Sequence, residues 1–333
     1  MEPLSTQRAA GAAGGNVDVS VVFPVFNEVG NLEPLHERVR AALEPTGLSY
    51  ELVFVDNGSS DGSLEVIKRL GWEDPAVRFV SLTRNFSHQA ALFAGLCHAG
   101  GRAVITMDAD LQHPPELLPR LVALWRQGYE VVYTTKRTYR LPWHKRCQIQ
   151  AFYWVLSRLS GLHLSFGQSD FRLLDRNVVD VIVRFGAYRK FLRGIVEWVG
   201  FRQVGVEYDV AERASGTSKF SYRALASFAF DGILSFSNAP LRWILVIGLC
   251  IASGALLYGA LVVMLGILAL TGAAVTLPPG WAALAAAISL LGGLQLIAVG
   301  AVGEYVSRIF EQSQDRPVFI VRETSMTTSV PSR

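Results

Sequence analysis

The sequence predicts an α/β fold: a mainly parallel sheet with helices on both faces, followed by a pair of apolar membrane helices. Three observations carry this. Strand-like and helix-like periods alternate over the first 135 residues, the order that builds a parallel sheet. Short polar segments rich in Asp, Asn and Ser fall where each predicted strand ends. From Trp243 to Gly303 there is no Asp, Glu, Lys or Arg.

Val17–Val25 is β-branched and apolar and predicts the first strand. Asn31–Leu43 has helical spacing in Leu32, Leu35, Val39 and Leu43. Glu51–Val55 predicts a second strand, Ser63–Leu70 a short helix and Val77–Leu82 a third strand. His88–Ala99 is helical, with Ala91, Leu92, Gly95 and Leu96 on one face. Ala103–Met107 reads as a fourth, buried strand, followed by a helix from Pro115 to about Arg126 and a fifth strand over Tyr129–Thr134. No fixed-period repeat is present.

Beyond Thr135 the character changes. Pro142–Leu162 and Thr217–Asn238 mix aromatic residues with basic ones, as amphipathic helices at a membrane interface do. A core role competes with that reading for the first of them. Trp243–Leu270 and Trp281–Gly303 are each long enough to span a bilayer, which needs roughly 20 residues. Leu277-Pro278-Pro279-Gly280 reads as the turn between them. Arg213, Lys219, Arg223 and Arg242 precede the first span, and Arg308, Arg316 and Arg322 follow the second. The positive-inside tendency then places both termini and the large N-terminal region in the cytoplasm. The expected organisation is a flexible tail over 1–16, a cytoplasmic catalytic domain over 17–215 and an interfacial helix over 216–240. Two transmembrane helices over 241–305 and a cytoplasmic tail over 306–333 complete it. Gly248, Gly254, Gly259, Gly292 and Gly293 permit close helix contact and a homo-oligomer.

Composition excludes several classes. Half of the residues are hydrophobic and only 18% are charged, too apolar for an ordinary soluble enzyme. The net charge of +3 is too small to argue for nucleic acid. Cys97, Cys147 and Cys250 are scattered without a paired spacing, which indicates reduced thiols rather than a zinc site or disulfide frame. The chain opens on no charged and apolar leader, so no cleavable signal peptide is expected. Neither a P-loop nor a dinucleotide fingerprint is present, which disfavours those enzyme classes.

The chemistry concentrates in Asp108-Ala109-Asp110-Leu111-Gln112-His113-Pro114-Pro115, directly after the fourth strand. Two acids at the carboxyl end of a parallel strand stand where open α/β sheets bind ligands. Paired hard oxygens there suit Mg²⁺ or Mn²⁺ carrying phosphates. Three more segments end strands in the same way. They are Val22-Phe23-Pro24-Val25-Phe26-Asn27-Glu28, Val53–Ser63 with Asp56-Asn57-Gly58 at its centre, and Leu82-Thr83-Arg84-Asn85-Phe86.

Together with Gly167–Leu173 and Glu212–Phe220, these segments resemble the family 2 glycosyltransferases of GT-A fold. More narrowly they resemble the polyisoprenyl-phosphate glycosyltransferases, among them GtrB-type bactoprenol glucosyltransferases and dolichol-phosphate mannose synthases. The resemblance runs from about Val19 to Val321. It implies that Pro24, Phe26 and Glu28 line the nucleotide site, that Asp56 recognises base or ribose, and that Asn85 lies among them. It implies that Asp108 and Ala109 touch the nucleotide, that Asp110 and Gln112, with Asp108, hold the divalent ion, and that Arg137, Arg213 and Lys219 meet phosphates. Two departures stand out. The family usually has two acids where this chain has Asp56-Asn57, and often Gly-Lys-Glu where it has Ser87-His88-Gln89.

The activity implied is inverting transfer of a sugar, UDP-glucose favoured, to a polyisoprenyl phosphate at the membrane. Asp110 and Arg213 would serve the departing diphosphate. Asp170 is a candidate base, or alternatively a residue that fixes its loop with Arg172 or orients the acceptor. A processive polysaccharide synthase would carry Gln-x-x-Arg-Trp, which is absent. A non-catalytic sugar-nucleotide scaffold would have lost the acids, which are present. A two-span transporter would place ionisable residues within the spans, and there are none.

Overall fold

The computed structural model describes residues 17–137, 168–184, 192–209, 239–270, 280–314 and 316–326. These fall into two compact units. The first is an eight-stranded sheet: β1 (Val19–Val25), β2 (Tyr50–Asp56), β3 (Val77–Leu82), β4 (Ala103–Thr106), β5 (Val131–Lys136), β6 (Gln168–Asp175), β7 (Gln203–Tyr208) and β8 (Val321–Thr324). Its order is β7-β5-β6-β4-β1-β2-β3-β8. The pairs β1–β2, β1–β4, β2–β3 and β5–β7 are parallel, while β6 and β8 pair antiparallel to their neighbours. This is the α/β, mainly parallel sheet that the alternation predicts.

Six helices belong to the same unit: α1 (Leu32–Leu43), α2 (Ser63–Glu73), α3 (His88–His98), α4 (Leu118–Arg126), α5 (Arg176–Arg184) and α6 (Leu192–Trp198). Alternation along β1 explains their two layers. Val19, Val21, Phe23 and Val25 face one cluster with Leu32, Leu35, Val39, Ile67, Leu118 and Leu121. Val22 faces the other with Val53, Val55, Ala91, Leu92, Val178 and Ile182. Every residue of β1 is buried, as a central parallel strand requires. Helix α3 approaches so closely that a Cβ on Gly95 would stand 2.1 Å from Val22 Cγ1, which explains the small residues on that face.

Strands β6, β7 and β8 were not legible as strands. β6 reads in sequence as a polar motif, since Ser169, Asp170 and Arg172 break its apolar pattern, yet all three are buried. β8 lies in the segment expected to be a tail. It adds to β3, with Arg322 donating to the Thr83 carbonyl (2.8 Å) and Lys68 paired with Glu323 (2.6 Å).

The second unit contains α7 (Ala239–Leu270) and α8 (Gly280–Ser313). Within α8, Leu290–Ser307 is long and apolar enough to cross a membrane by length and composition, and α7 holds a shorter apolar stretch, Val246–Leu261. Both helices present bare apolar side chains, including Leu256, Leu257, Leu284 and Leu296. The segments Pro142–Leu162 and Thr217–Asn238, and the turn residues Leu277–Pro279, lie outside the described residues, as do Arg213 and Lys219.

Candidate active site

The chain reverses its winding at β1: β2 and β3 lie to one side of it and β4 to the other. The carboxyl ends of β1 and β4 therefore open a crevice where nothing crosses over, the usual ligand position in such sheets. A cleft of about 290 Å³ lies there, lined by Pro24, Phe26, Glu28, Asn57, Asn85, His88, Asp108, Ala109 and Asp110, with Val25 between. Seven residues singled out in the sequence thus converge: Pro24, Phe26, Glu28, Asn85, Asp108, Ala109 and Asp110.

The loops around this cleft hold each other. Asp61 accepts from Val29 N–H (3.1 Å) and from Ser63 N–H (3.0 Å) and Oγ (2.6 Å), tying the loop after β1 to the start of α2. Asn57 donates from Nδ2 to Asn85 Oδ1 (3.2 Å) and accepts from Phe86 N–H at Oδ1 (3.0 Å). This explains one departure from the family pattern. An amide donates and accepts at once, whereas a carboxylate here could only accept. Gly58, at φ +75°, lets the backbones meet: a Cβ on it would lie 2.7 Å from the Arg84 carbonyl carbon.

Asp56 sits beneath the cleft, 2% exposed, accepting from Ser59 N–H (3.0 Å) and the Ser81 hydroxyl (3.0 Å). Gln112 lies in the same turn as Asp110, its N–H donated to Asp110 Oδ1 (3.1 Å), with its side chain outside the lining. Arg137 directly follows β5 and pairs with Glu207 (3.2 Å) and Asp209 (3.5 Å), also outside the lining. It is the neighbouring Lys136 whose charge acts on Asp108. Asp170 is buried beside the cleft. Gln89 donates to its Oδ2 (3.2 Å), and Arg172 stands 3.7 Å from its Oδ1.

Sequence reasoning missed His88. Its Nε2 lies 3.4 Å from Asp108 Oδ1 and 3.6 Å from Asp170 Oδ2, so it bridges the two acids from the first turn of α3. The signal was present as the second family departure, but a lone polar residue at a helix start reads as solvated.

Asp108 is the electrostatic centre. Burial pushes its carboxyl up to about 6; the nearby Asp170 and Asp110 add to this, while His88 and Lys136 oppose it. Its Oδ1 is buried without a hydrogen-bond partner among the described residues. An acid so placed is stabilised by a cation more than an exposed one would be. No three His, Cys, Asp or Glu side chains among the described residues form a closed metal cage. The residues therefore fit an ion held by one or two carboxylates with phosphates completing its shell, the habit of Mg²⁺ and of Mn²⁺ in such sites.

The acid-lined crevice of this α/β sheet is that of a glycosyltransferase. The chain belongs to glycosyl transferase family 2, whose pattern matches residues 20–193. It is 39% identical to a bactoprenol glucosyl transferase of Shigella phage SfV over 91% of this chain and 98% of that protein. It is also 39% identical to an uncharacterized glycosyltransferase of Synechocystis sp., over 92% of this chain and 95% of that one. Among solved structures it is similar to a mannosyltransferase from Pyrobaculum calidifontis in complex with GDP-Man and Mn²⁺. The TM-score there is 0.47 at 18% identity, covering 90% of this chain and 88% of that one.

Proposed function

We propose that this glycosyltransferase moves a sugar, with inversion, from a nucleoside diphosphate sugar to a polyisoprenyl phosphate at the cytoplasmic face of a membrane. UDP-glucose is the favoured donor. The observation that carries this is the meeting of Asp108 and Asp110, one with a buried oxygen that accepts no hydrogen bond from the described residues and has the His88 ring 3.4 Å away, at the crevice that also holds Pro24, Phe26 and Glu28. The relatives named for bactoprenol glucosyl transfer support the lipid acceptor and the glucosyl group.

The difficult step is departure of the diphosphate, whose leaving oxygen gains negative charge. A divalent ion held by Asp108 and Asp110 would neutralise that charge as a Lewis acid. Phe26 and Pro24 give the nucleotide an apolar wall. Arg213 and Lys219 add cationic contacts to phosphate. The acceptor phosphate is already anionic near neutral pH, with a second pKa of about 6, so orientation matters more than deprotonation. Asp170 fits a supporting role better than that of a free base, because Gln89 and Arg172 engage its oxygens and it is buried.

Chain connectivity supports a hairpin in the membrane. β7 precedes α7 and β8 comes after α8, and both strands belong to one sheet. An arrangement with both outer ends of the helix pair on one side of a bilayer agrees with that order. The arginines that flank both outer ends put that side in the cytoplasm.

The test offers purified protein a panel of sugar nucleotides with polyprenyl phosphate and Mn²⁺ or Mg²⁺, and reads the extracted lipid by mass spectrometry. A single glycosyl phospholipid from UDP-glucose is expected. No glycolipid from any donor, or full turnover in excess chelator, overturns the reading.

A further inference from the structure

We infer that His113 is a positioning residue: a neutral imidazole bracket that holds the Asp108–Gln112 turn in its ligand-binding shape. This rests on the proposed function for what the turn binds. His113 is 1% exposed, and both ring nitrogens are engaged. Nδ1 accepts the Asp108 N–H (3.1 Å). A neutral ring that accepts at Nδ1 carries its proton on Nε2. Nε2 lies 2.8 Å from Ser169 Oγ on β6, and 3.6 Å from Asp108 Oδ2. The ring stacks on Phe171 (centroids 5.2 Å apart) and meets the edge of Tyr208 (5.9 Å). One side chain thus ties the main chain of Asp108 to the strand that carries Asp170.

The turn needs such a tie. Leu111 stands at φ +60°, a left-handed conformation that a branched side chain resists. Strand β4 ends at Thr106, and Met107 makes one more backbone bond to β1, its N–H donated to the Val22 carbonyl (3.0 Å). Asp110 supplies a local hydrogen bond, accepting from the Gln112 N–H, but that bond stays inside the turn. The imidazole reaches out of the turn to the sheet. Removing it leaves Asp108 and Asp110 on a strained segment that has lost its link to β6.

The experiment compares wild type, His113→Phe and His113→Asn as full-length protein in detergent. Phenylalanine keeps a ring to stack on Phe171 and loses both polar links. Asparagine keeps an acceptor for the Asp108 N–H. Hydrogen exchange is followed by mass spectrometry on the peptide containing Asp108–Gln112, and Mn²⁺ affinity is measured with UDP present. In His113→Phe, exchange should rise about three- to tenfold, as for one lost hydrogen bond. Mn²⁺ affinity should fall roughly 10- to 100-fold, the range for losing an outer-shell partner of a metal ligand. His113→Asn, which keeps the Asp108 bond and loses the link to Ser169, should recover part of both losses. Wild-type exchange in His113→Phe, or no rescue by His113→Asn, overturns the bracket. If the wild type binds no Mn²⁺, the metal in the proposed function fails, and the exchange comparison alone decides for or against the bracket.

Discussion

Gln89 donates from Nε2 to Asp170 Oδ2 at 3.2 Å, joining the first turn of α3 to β6 beside the cleft. With Arg172 at 3.7 Å on the other oxygen, Asp170 is held as part of the frame. Asp110, by contrast, lines the cleft itself. Replacing Asp110 by Asn should therefore cost about 100-fold or more in turnover, comparable to losing a transition-state contact, with an unchanged melting temperature. Asp170→Asn removes the carboxylate charge beside buried Arg172, and breaking a buried pair costs about 3–5 kcal/mol of stability. It should lower the melting temperature and reduce turnover less than Asp110→Asn does at saturating metal. Steady-state assays beside thermal melts separate the two; equal loss of turnover counts against the ranking.

Backbone strain gathers at this site. The described non-glycine residues with positive φ are Asn27, Ser87 and Leu111, each in a loop that leads from a strand into the cleft region. Ser87, at φ 140° and ψ 163°, occupies a region open almost only to glycine, while its Oγ caps α3 by accepting the Ala90 N–H (3.2 Å). Relief of such strain is worth about 1–3 kcal/mol. Loss of the cap to glycine costs a few tenths, and glycine's extra freedom when unfolded about 0.4–1 kcal/mol. Ser87→Gly should thus stabilise the protein by about 1 kcal/mol, seen as a small rise in the melting temperature. A fall would mean that the serine cap outweighs the strain.

The strand β8 closes the edge of the sheet at β3, and Phe319 just before it packs edge-on against Phe93 of α3 (6.2 Å). Ending the chain after Arg316 should expose the β3 edge, lower the melting temperature and promote aggregation. Glu323→Gln alone should change stability by no more than about 1 kcal/mol, because its pair with Lys68 is partly exposed. Light scattering and melting of the two variants distinguish lost pairing from lost charge.

Burial raises the Asp61 carboxyl, but hydrogen bonds from Ser63 and Val29 outweigh it and hold the group below its ordinary value. A depressed folded value contributes stability that is present above the unfolded pKa and is lost as pH falls through the folded one. Melting temperatures taken from neutral pH down to about pH 3 should thus fall less steeply in Asp61→Asn than in the wild type, since that substitution removes the ionisation. Parallel curves would show that the loop anchored by Asp61 contributes nothing to acid unfolding.

The local patterns decide a great deal here. Largely apolar runs such as Val19–Val25, broken only by Ser20, and Ala103–Ile105, separated by helices with clear spacing, can hardly form anything but buried parallel strands. Such a sheet delivers Pro24, Asn85, Asp108 and Asp110 to one edge, because each lies at or just past the carboxyl end of its strand. The charge-free stretch from Trp243 to Gly303 is equally plain. Tertiary structure alone decided the rest. β6 and β8 lack a self-sufficient pattern: buried Asp170 and Arg172 are tolerated only by the partners that folding brings to them, and β8 pairs with β3, more than 200 residues earlier in the chain. The same holds for His88 and His113. His88 reads as an isolated polar residue until the sheet sets it against Asp108, and His113, though within the Asp108 motif, meets Ser169 only in the fold, since hydrogen bonds between distant segments leave no periodic trace in sequence.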